Sequence, residues 1–206
     1  MLRSIALVIS VVFQPLLMPA MVYGLLLFAV PEASSIPEEF KDRIFFLIVL
    51  STLLIPMITI IGLRISGMVK SLHMPEVQER RVPFLITTAF YLMTTWFLYQ
   101  KTDMDPVLWQ SLAVICVAVI FLTIITFFWK MSAHMTGLGG LLGVVVVLGS
   151  KFPTFEVVYP LLGALILCGI VASSRLLLQA HKPVEVYAGW LAGFAICWIG
   201  FNLIWV

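Results

Sequence analysis

Charge is scarce in this sequence. Of its 206 residues, 11% are Asp, Glu, Lys or Arg and 62% are apolar. With a mean hydropathy of +1.14, there is too little polar surface to cover a water-soluble globule. The net charge of +2 is too small for a nucleic-acid footprint, so no nucleic-acid partner is expected. The three cysteines, Cys116, Cys168 and Cys197, lie singly in apolar runs, which implies neither a disulfide framework nor a metal cluster. No internal repeat, low-complexity tract or glycine-rich phosphate loop is present.

Long apolar runs are abundant. A helix needs about 20 mostly apolar residues to cross roughly 30 Å of hydrocarbon. Spans are expected near 5–30, 44–67, 84–100, 108–129, 132–150, 156–173 and 183–206. The expected fold is therefore all-α, a polytopic transmembrane helical bundle of about six to seven spans forming a single domain over 1–206. The first run has one positive charge ahead of it and no small-residue cleavage region, so it is expected to be retained as a span. The run at 137–150 covers only about 21 Å at 1.5 Å per residue, so its helix is expected to begin near Ser132. Pro15, Pro19 and Pro56 fall inside spans and predict kinks. Gly139 and Gly143 form a G-x-x-x-G pair that admits a close helix neighbour.

The few polar residues are grouped. If the spans alternate in direction, the loops at 68–83, 130–134 and 174–182 emerge on one side together with the N-terminus. That side collects Arg64, Lys70, His73, Arg80 and Arg81, then Lys130, Ser132 and His134, then Ser174, Arg175, His181 and Glu185. The opposite side carries acidic segments at Glu32 to Glu39 and Asp103 to Asp105. Basic residues divide eight to four in favour of the histidine side, which by the positive-inside rule would face the cytoplasm. Three of the eight, Arg80, Arg81 and Arg175, belong to this polar group itself, and without them the division is five to four, so sidedness stays open.

Two loops have the form of helix starts. In SSRLLLQAHKPVE, residues 173–185, Pro183 suits the first helical turn, Lys182 the N-cap and Glu185 the third position. A carboxylate there reaches back over the helix start, where it can accept a hydrogen bond from His181 and fix its tautomer. Arg175 faces the same aqueous mouth. In KMSAHMTG, residues 130–137, Ser132 is a good N-cap and His134 falls in the first turn. Free amides, a hydroxyl and an imidazole at a helix start favour an anion. Two such starts facing Arg80 or Arg81 would form a phosphate pocket. The plainer reading makes Ser132 a cap, Arg175 and Lys182 interfacial anchors, and His181 a solvated loop residue.

These residues resemble the signatures of the type 2 phosphatidic acid phosphatase, or lipid phosphate phosphatase, superfamily, which read K-x6-R-P, P-S-G-H and S-R-x5-H-x3-D. Ser174, Arg175, His181 and Glu185 match the third in every spacing, with Glu for Asp. Met131-Ser132-Ala133-His134 resembles the second, keeping Ser and His. Arg80-Arg81-Val82-Pro83 resembles the R-P end of the first with one residue inserted, and its lysine is missing at the family spacing. The resemblance implies that His181 attacks phosphorus, Glu185 orients it and His134 protonates the leaving group. Arg175, Ser132, Ser174 and one of Arg80 or Arg81 would hold the phosphoryl oxygens. It implies a hydrolase that uses no metal and no cofactor, acting on a lipid phosphate or diphosphate drawn from the bilayer.

Other readings start from other features. A catalytically weak lipid-phosphate-binding protein or a small transporter is the alternative. Glu38-Glu39-Phe40-Lys41-Asp42-Arg43 resembles the first motif of membrane-embedded CAAX-type proteases, but the companion F-x-x-x-H is absent because Lys130 precedes His134 by four. His134 and His181 could also be axial ligands to haem. The expected partners are the lipid bilayer and a lipid phosphate substrate, and the expected location is the bacterial cell (inner) membrane. The identity of the lipid and the oligomeric state stay open.

Overall fold

The computed structural model describes residues 1–69, 71, 74, 76–101 and 104–205. Lys70, His73 and Asp103, which the sequence assigns to loops, lie outside them. The helices are α1 (Leu2–Val12), α2 (Met18–Gly24), α3 (Glu38–Val49), α4 (Ile55–Ile65), α5 (Val77–Tyr99), α6 (Pro106–Thr126), α7 (Ala133–Lys151), α8 (Val158–Leu177) and α9 (Pro183–Ile204). α1 and α2 lie within one apolar segment, Leu2–Ala29, and α3 and α4 within another, Glu38–Ile65; with α5 to α9 these make seven helical segments long and apolar enough to cross a membrane among the described residues. The protein is an all-helical integral membrane bundle.

Several boundaries differ from the expected ones, for a common reason. α3 begins at Glu38 and α5 at Val77, ahead of the apolar runs, because a helix can extend through polar residues before it meets hydrocarbon. Glu38 and Glu39 occupy the first turn of α3, where carboxylates complement the helix dipole, and Glu38 pairs with the buried Lys41 at 2.5 Å. The protease-like hexapeptide is thus built as an acidic helix start. α8 runs on to Leu177, so Ser174 and Arg175 belong to its last turn.

The intramembrane prolines break the first two spans. α1 ends at Val12 and Gln14 is extended before the 3₁₀ turn Pro15–Leu17. Pro56 lacks the N–H that would reach the carbonyl of Thr52, and a π turn over Leu50–Leu54 precedes it. Tyr91 of α5 donates its hydroxyl to that same Thr52 carbonyl at 3.1 Å, so a neighbouring helix satisfies the group the proline frees.

α7 is the central helix, with thirteen of its nineteen residues buried. It packs backbone to backbone on α9. A Cβ on Gly139 would lie 2.1 Å from the carbonyl oxygen of Trp190, and one on Gly193 only 1.9 Å from that of Thr136. The G-x-x-x-G pair Gly139/Gly143 therefore packs on the Trp190 and Phe194 backbone, and a second such pair on α9, Gly189/Gly193, packs on the Ser132 and Thr136 backbone in turn. Ser132 meets Gly189 and Gly143 meets Phe194 and Trp198, so the two helices run parallel and both start at the same end of the bundle. The other end is tied by side chains: Asp105 accepts from Ser35 Oγ at 2.8 Å, Glu32 from Thr154 at 2.7 Å, and Lys151 donates to the Trp205 carbonyl at 2.9 Å.

Candidate functional site

The geometry begins where α8 stops. Gln179 takes a left-handed conformation, φ 54°. The amide of Gln179 donates to the Leu176 carbonyl at 2.9 Å and that of Ala180 to the Arg175 carbonyl at 3.1 Å. This is a Schellman ending, in which two carbonyls of the last turn are satisfied by the chain as it reverses. It sets the six-residue separation of Arg175 and His181, turning the chain so that His181 comes back toward the helix end from which Arg175 projects.

Pro183 then opens α9, and Glu185 is its third residue. One carboxylate oxygen, Oε2, accepts from the Lys182 amide at 3.1 Å and from His181 Nδ1 at 2.9 Å. The Lys130 carbonyl lies 3.2 Å from the same Nδ1. Both neighbours of Nδ1 are acceptors, so the neutral ring carries its proton there and its lone pair on Nε2. Burial, followed by the charges of Arg80, Arg175 and Lys130, holds the His181 imidazole well below the ordinary histidine range. It is neutral at pH 7.

Arg80 and Arg175 close around this pair. They are 5% and 7% exposed. Arg80 donates through Nε to the Met74 carbonyl at 2.9 Å. Arg175 Nε is buried without a partner. The two adjacent arginines of α5 go separate ways: Arg81 donates to the Phe127 carbonyl at 3.2 Å and its guanidinium lies over the Phe127 ring. Successive helical residues point about 100° apart, so only one of such a pair faces a given neighbour. The structure brings Arg80 to the cluster and sends Arg81 to the end of α6.

The α7 start contributes less directly. Ser132 is fully buried and accepts from the Met135 amide at a long 3.5 Å. Its own amide donates to the Glu185 carbonyl at 3.2 Å, which fastens the two helix starts together. His134 Nε2 lies 3.0 Å from the Ser10 carbonyl. α1 ends two residues after Ser10, so its last-turn carbonyls need outside donors, and this contact puts the His134 proton on Nε2 in the neutral ring. Arg175, His181 and Arg80 all bear electrostatically on His134. Ser174 is buried and its hydroxyl donates to its own helix, at the Ile170 carbonyl, 2.8 Å away.

His181, Glu185, Arg175, Arg80, Ser132 and His134 are thus gathered at one end of the bundle. Two contributors were not among the candidates. Lys130 was noted only as a polar neighbour, yet its carbonyl holds His181 and its charge faces Arg80, Glu185 and Arg175. Ser10 acts through its backbone, which has no signature in residue type; the nearby Pro15, which ends a helix, was the available sign. Among the described residues no three His, Cys, Asp or Glu side chains gather as a metal ligand set. Compared with protein-family models, with curated protein sequences and with solved structures, the chain matches none.

Proposed function

We propose that this chain is a metal-independent membrane phosphatase that hydrolyses a lipid phosphate or diphosphate through a phosphohistidine at His181. The observation that carries this reading is an imbalance of buried charge. Arg80 and Arg175 are nearly inaccessible, Lys130 adds its charge beside them, and Glu185 is the carboxylate that faces them. Arg175 Nε is buried with no hydrogen-bond partner among the described residues. A buried cation without acceptors is costly. A phosphate supplies both negative charge and acceptor oxygens, and guanidinium forks match its geometry.

The chemistry follows from the tautomers. With Nδ1–H held by Glu185, Nε2 of neutral His181 attacks phosphorus. The bond to the leaving alkoxide, or to the leaving phosphate of a diphosphate, breaks as His134 gives it a proton. His134 keeps its Nε2–H on Ser10 and acts as the acid in its doubly protonated, cationic form, giving up the second proton from Nδ1 and returning to the neutral ring. The phosphohistidine ring is cationic and the Glu185 carboxylate offsets that charge. Water then attacks phosphorus, His134 takes its proton, the N–P bond breaks and inorganic phosphate leaves. Arg80, Arg175 and Lys130 neutralise the phosphoryl oxygens, the main requirement of such transfers. Lys130 supplies from another loop the cation that the first family motif carries as its lysine.

One observation favours binding without turnover: the Ser132 amide, a natural donor to an anion, is already taken by Glu185. The test is phosphate release from a panel of phosphatidate, phosphatidylglycerol phosphate, polyprenyl diphosphate and a lipid-linked sugar phosphate by purified protein. We expect release from at least one, abolished in His181→Ala together with covalent labelling. Saturable binding with no release from any would replace the enzyme with a binding protein, and full activity in His181→Ala would overturn the mechanism.

A further inference from the structure

The first span is interrupted beside the α7 start, and the interruption leaves one carbonyl over. The Phe13 amide donates to the Ile9 carbonyl at 2.9 Å, the last bond of the α1 ladder. The next donor in sequence would be the Gln14 amide, to the Ser10 carbonyl. Phe13 has left the helical region, φ −95° and ψ 46°, and Gln14 is extended, φ −65° and ψ 152°, as a residue ahead of a proline is disposed to be. Pro15 itself has no N–H to offer Val11. The Ser10 carbonyl, on a residue only 7% exposed, is met instead by His134 Nε2 at 3.0 Å.

Pro56 breaks the second span differently. There a π turn keeps the helix running, and the freed Thr52 carbonyl goes to a tyrosine hydroxyl, which packing alone explains. At Pro15 the helix stops and the open carbonyl goes to a titratable ring. The break also seats the chain. Beyond it Met18 lies against Gly137, where an added Cβ would come 2.6 Å from Met18 Cγ. Ser10 and Met18 would be about 12 Å apart along a continuous helix, whereas His134 and Gly137, their neighbours on α7, are one turn apart, ~5 Å. An uninterrupted helix alongside α7 could not make both contacts.

We infer that the break at Pro15 is a positioning device for His134: it keeps the Ser10 carbonyl out of the α1 ladder, so that this carbonyl holds the Nε2–H of the ring. The inference rests on the reading of His134 as the acid of a phosphatase. With Nε2–H held, Nδ1 is the nitrogen left to gain and give the second proton. The last-turn carbonyls are also the negative end of α1, where a cationic imidazole is favoured, and this offsets the opposing charges of Arg80 and Arg175. Ser10 and Pro15 act only through His134.

The experiment reads the ring by nitrogen-15 NMR in the full chain, in phosphatidylcholine nanodiscs, with its three histidines labelled and His134 assigned through His134→Gln. Replacing Val11 with the α-hydroxy acid analogue of valine turns the Ser10 carbonyl into that of an ester, a weaker acceptor, and keeps every side chain. The same replacement at Val8 alters the Leu7 carbonyl and controls for the lost helix N–H; both valines are exposed. The neutral His134 ring of the unmodified chain should carry its proton on Nε2. The Val11 ester should move population to the Nδ1–H form, and the Val8 ester should not. Pro15→Ala, which returns an N–H and lets Gln14 turn helical, should act like the Val11 ester; where it does not fold, the esters decide. An unmoved ring in the Val11 ester or in a folded Pro15→Ala would overturn the inference, as would an equal change in the Val8 ester. Phosphate release is measured in parallel. In the Val11 ester it should fall about tenfold for substrates with basic leaving alkoxides and little for activated esters, the effect of one weakened charge-assisted bond. A moved ring with no release from any protein keeps the positioning and removes the phosphatase; an unmoved ring with equal release from both esters keeps the phosphatase and removes the positioning.

Discussion

Replacing Glu185 with glutamine removes one negative charge and almost no volume. Because a single oxygen, Oε2, accepts from both the Lys182 amide and His181 Nδ1, a glutamine oxygen in that place can keep both hydrogen bonds, and the helix start with them. What it loses is the attraction to the cationic ring of the phosphohistidine. Unit charges at the 2.9 Å of this contact attract by about 6 kcal/mol at an effective dielectric constant of ~20, which is the ceiling. Hydrogen bonds to charged groups contribute about 1.5–3 kcal/mol net, which is the floor. At about 1.4 kcal/mol per factor of ten, kcat of Glu185→Gln should fall on the order of 10–10⁴. Folding should suffer by about 1–3 kcal/mol, since the surrounding cations lose their carboxylate. The assay is phosphate release at saturating substrate by protein that stays monodisperse in detergent with unchanged far-UV circular dichroism. Glu185→Asp, which keeps the charge, should retain turnover. A folded Glu185→Gln with less than about a threefold loss, under 1 kcal/mol, would refute the reasoning and leave Glu185 as a helix cap.

The depressed His181 value makes a pH prediction. Protonation of the ring is disfavoured in the folded protein, so its contribution to stability is complete above the unfolded value of ~6.5 and is lost as pH falls toward the folded one. The acid limb of kcat/KM due to His181 should lie well below 6.5, and Arg175→Gln should move it upward; a limb at the ordinary histidine value, unmoved by that change, would contradict the electrostatics. Gly193→Ala places a Cβ 1.9 Å from the Thr136 carbonyl, whereas a Cβ on Gly163 meets nothing within 4 Å. The first should lose about 1–3 kcal/mol or more by thermal unfolding in detergent and the second should be neutral or gain up to about 1 kcal/mol; equal behaviour would mean that α7 and α9 are not in backbone contact. Gln179→Gly relieves a left-handed residue and should raise stability by about 0.5–1 kcal/mol without changing turnover; a loss would show that the α8 ending is not the one described. His134→Ala should slow substrates with basic leaving alkoxides most and activated esters least; a uniform loss would deny it the role of acid.

The spans were legible because hydrocarbon demands uninterrupted apolar runs, and seven of them stand out against short polar loops. Their starts were less so: nothing in an apolar count shows that Glu38 or Val77 already belongs to a helix. That error carried into the site. With Arg80 and Arg81 read as loop residues, either could serve; once both are in α5, their angular separation sends them to different neighbours. The pairing of His181 with Glu185 was readable, since Pro183 defines the helix start and thereby the reach of the carboxylate. The reversal at Gln179 was not, because the left-handed position is filled by a residue that is not glycine. Gly189 and Gly193 carry the same spacing as Gly139 and Gly143, but the spacing alone does not show that each pair receives the backbone of the other helix.

The parallel pairing of α7 and α9 also has a consequence for biosynthesis. Chains emerge N-terminus first, so α5 brings Arg80 and α8 brings Arg175 to the cluster end of the bundle before Glu185 has been made. Two arginines that become buried side by side without an anion are costly. Until α9 arrives, the glycine face of α7 also lacks its cover. The nascent protein therefore passes through a stage with two uncompensated cations and a bare helix flank, and α9 ends both at once. A ribosome stalled before residue 183, or a chain clipped there, would leave a product marked by those same features for membrane quality control, while a chain with a damaged His181 alone would pass inspection.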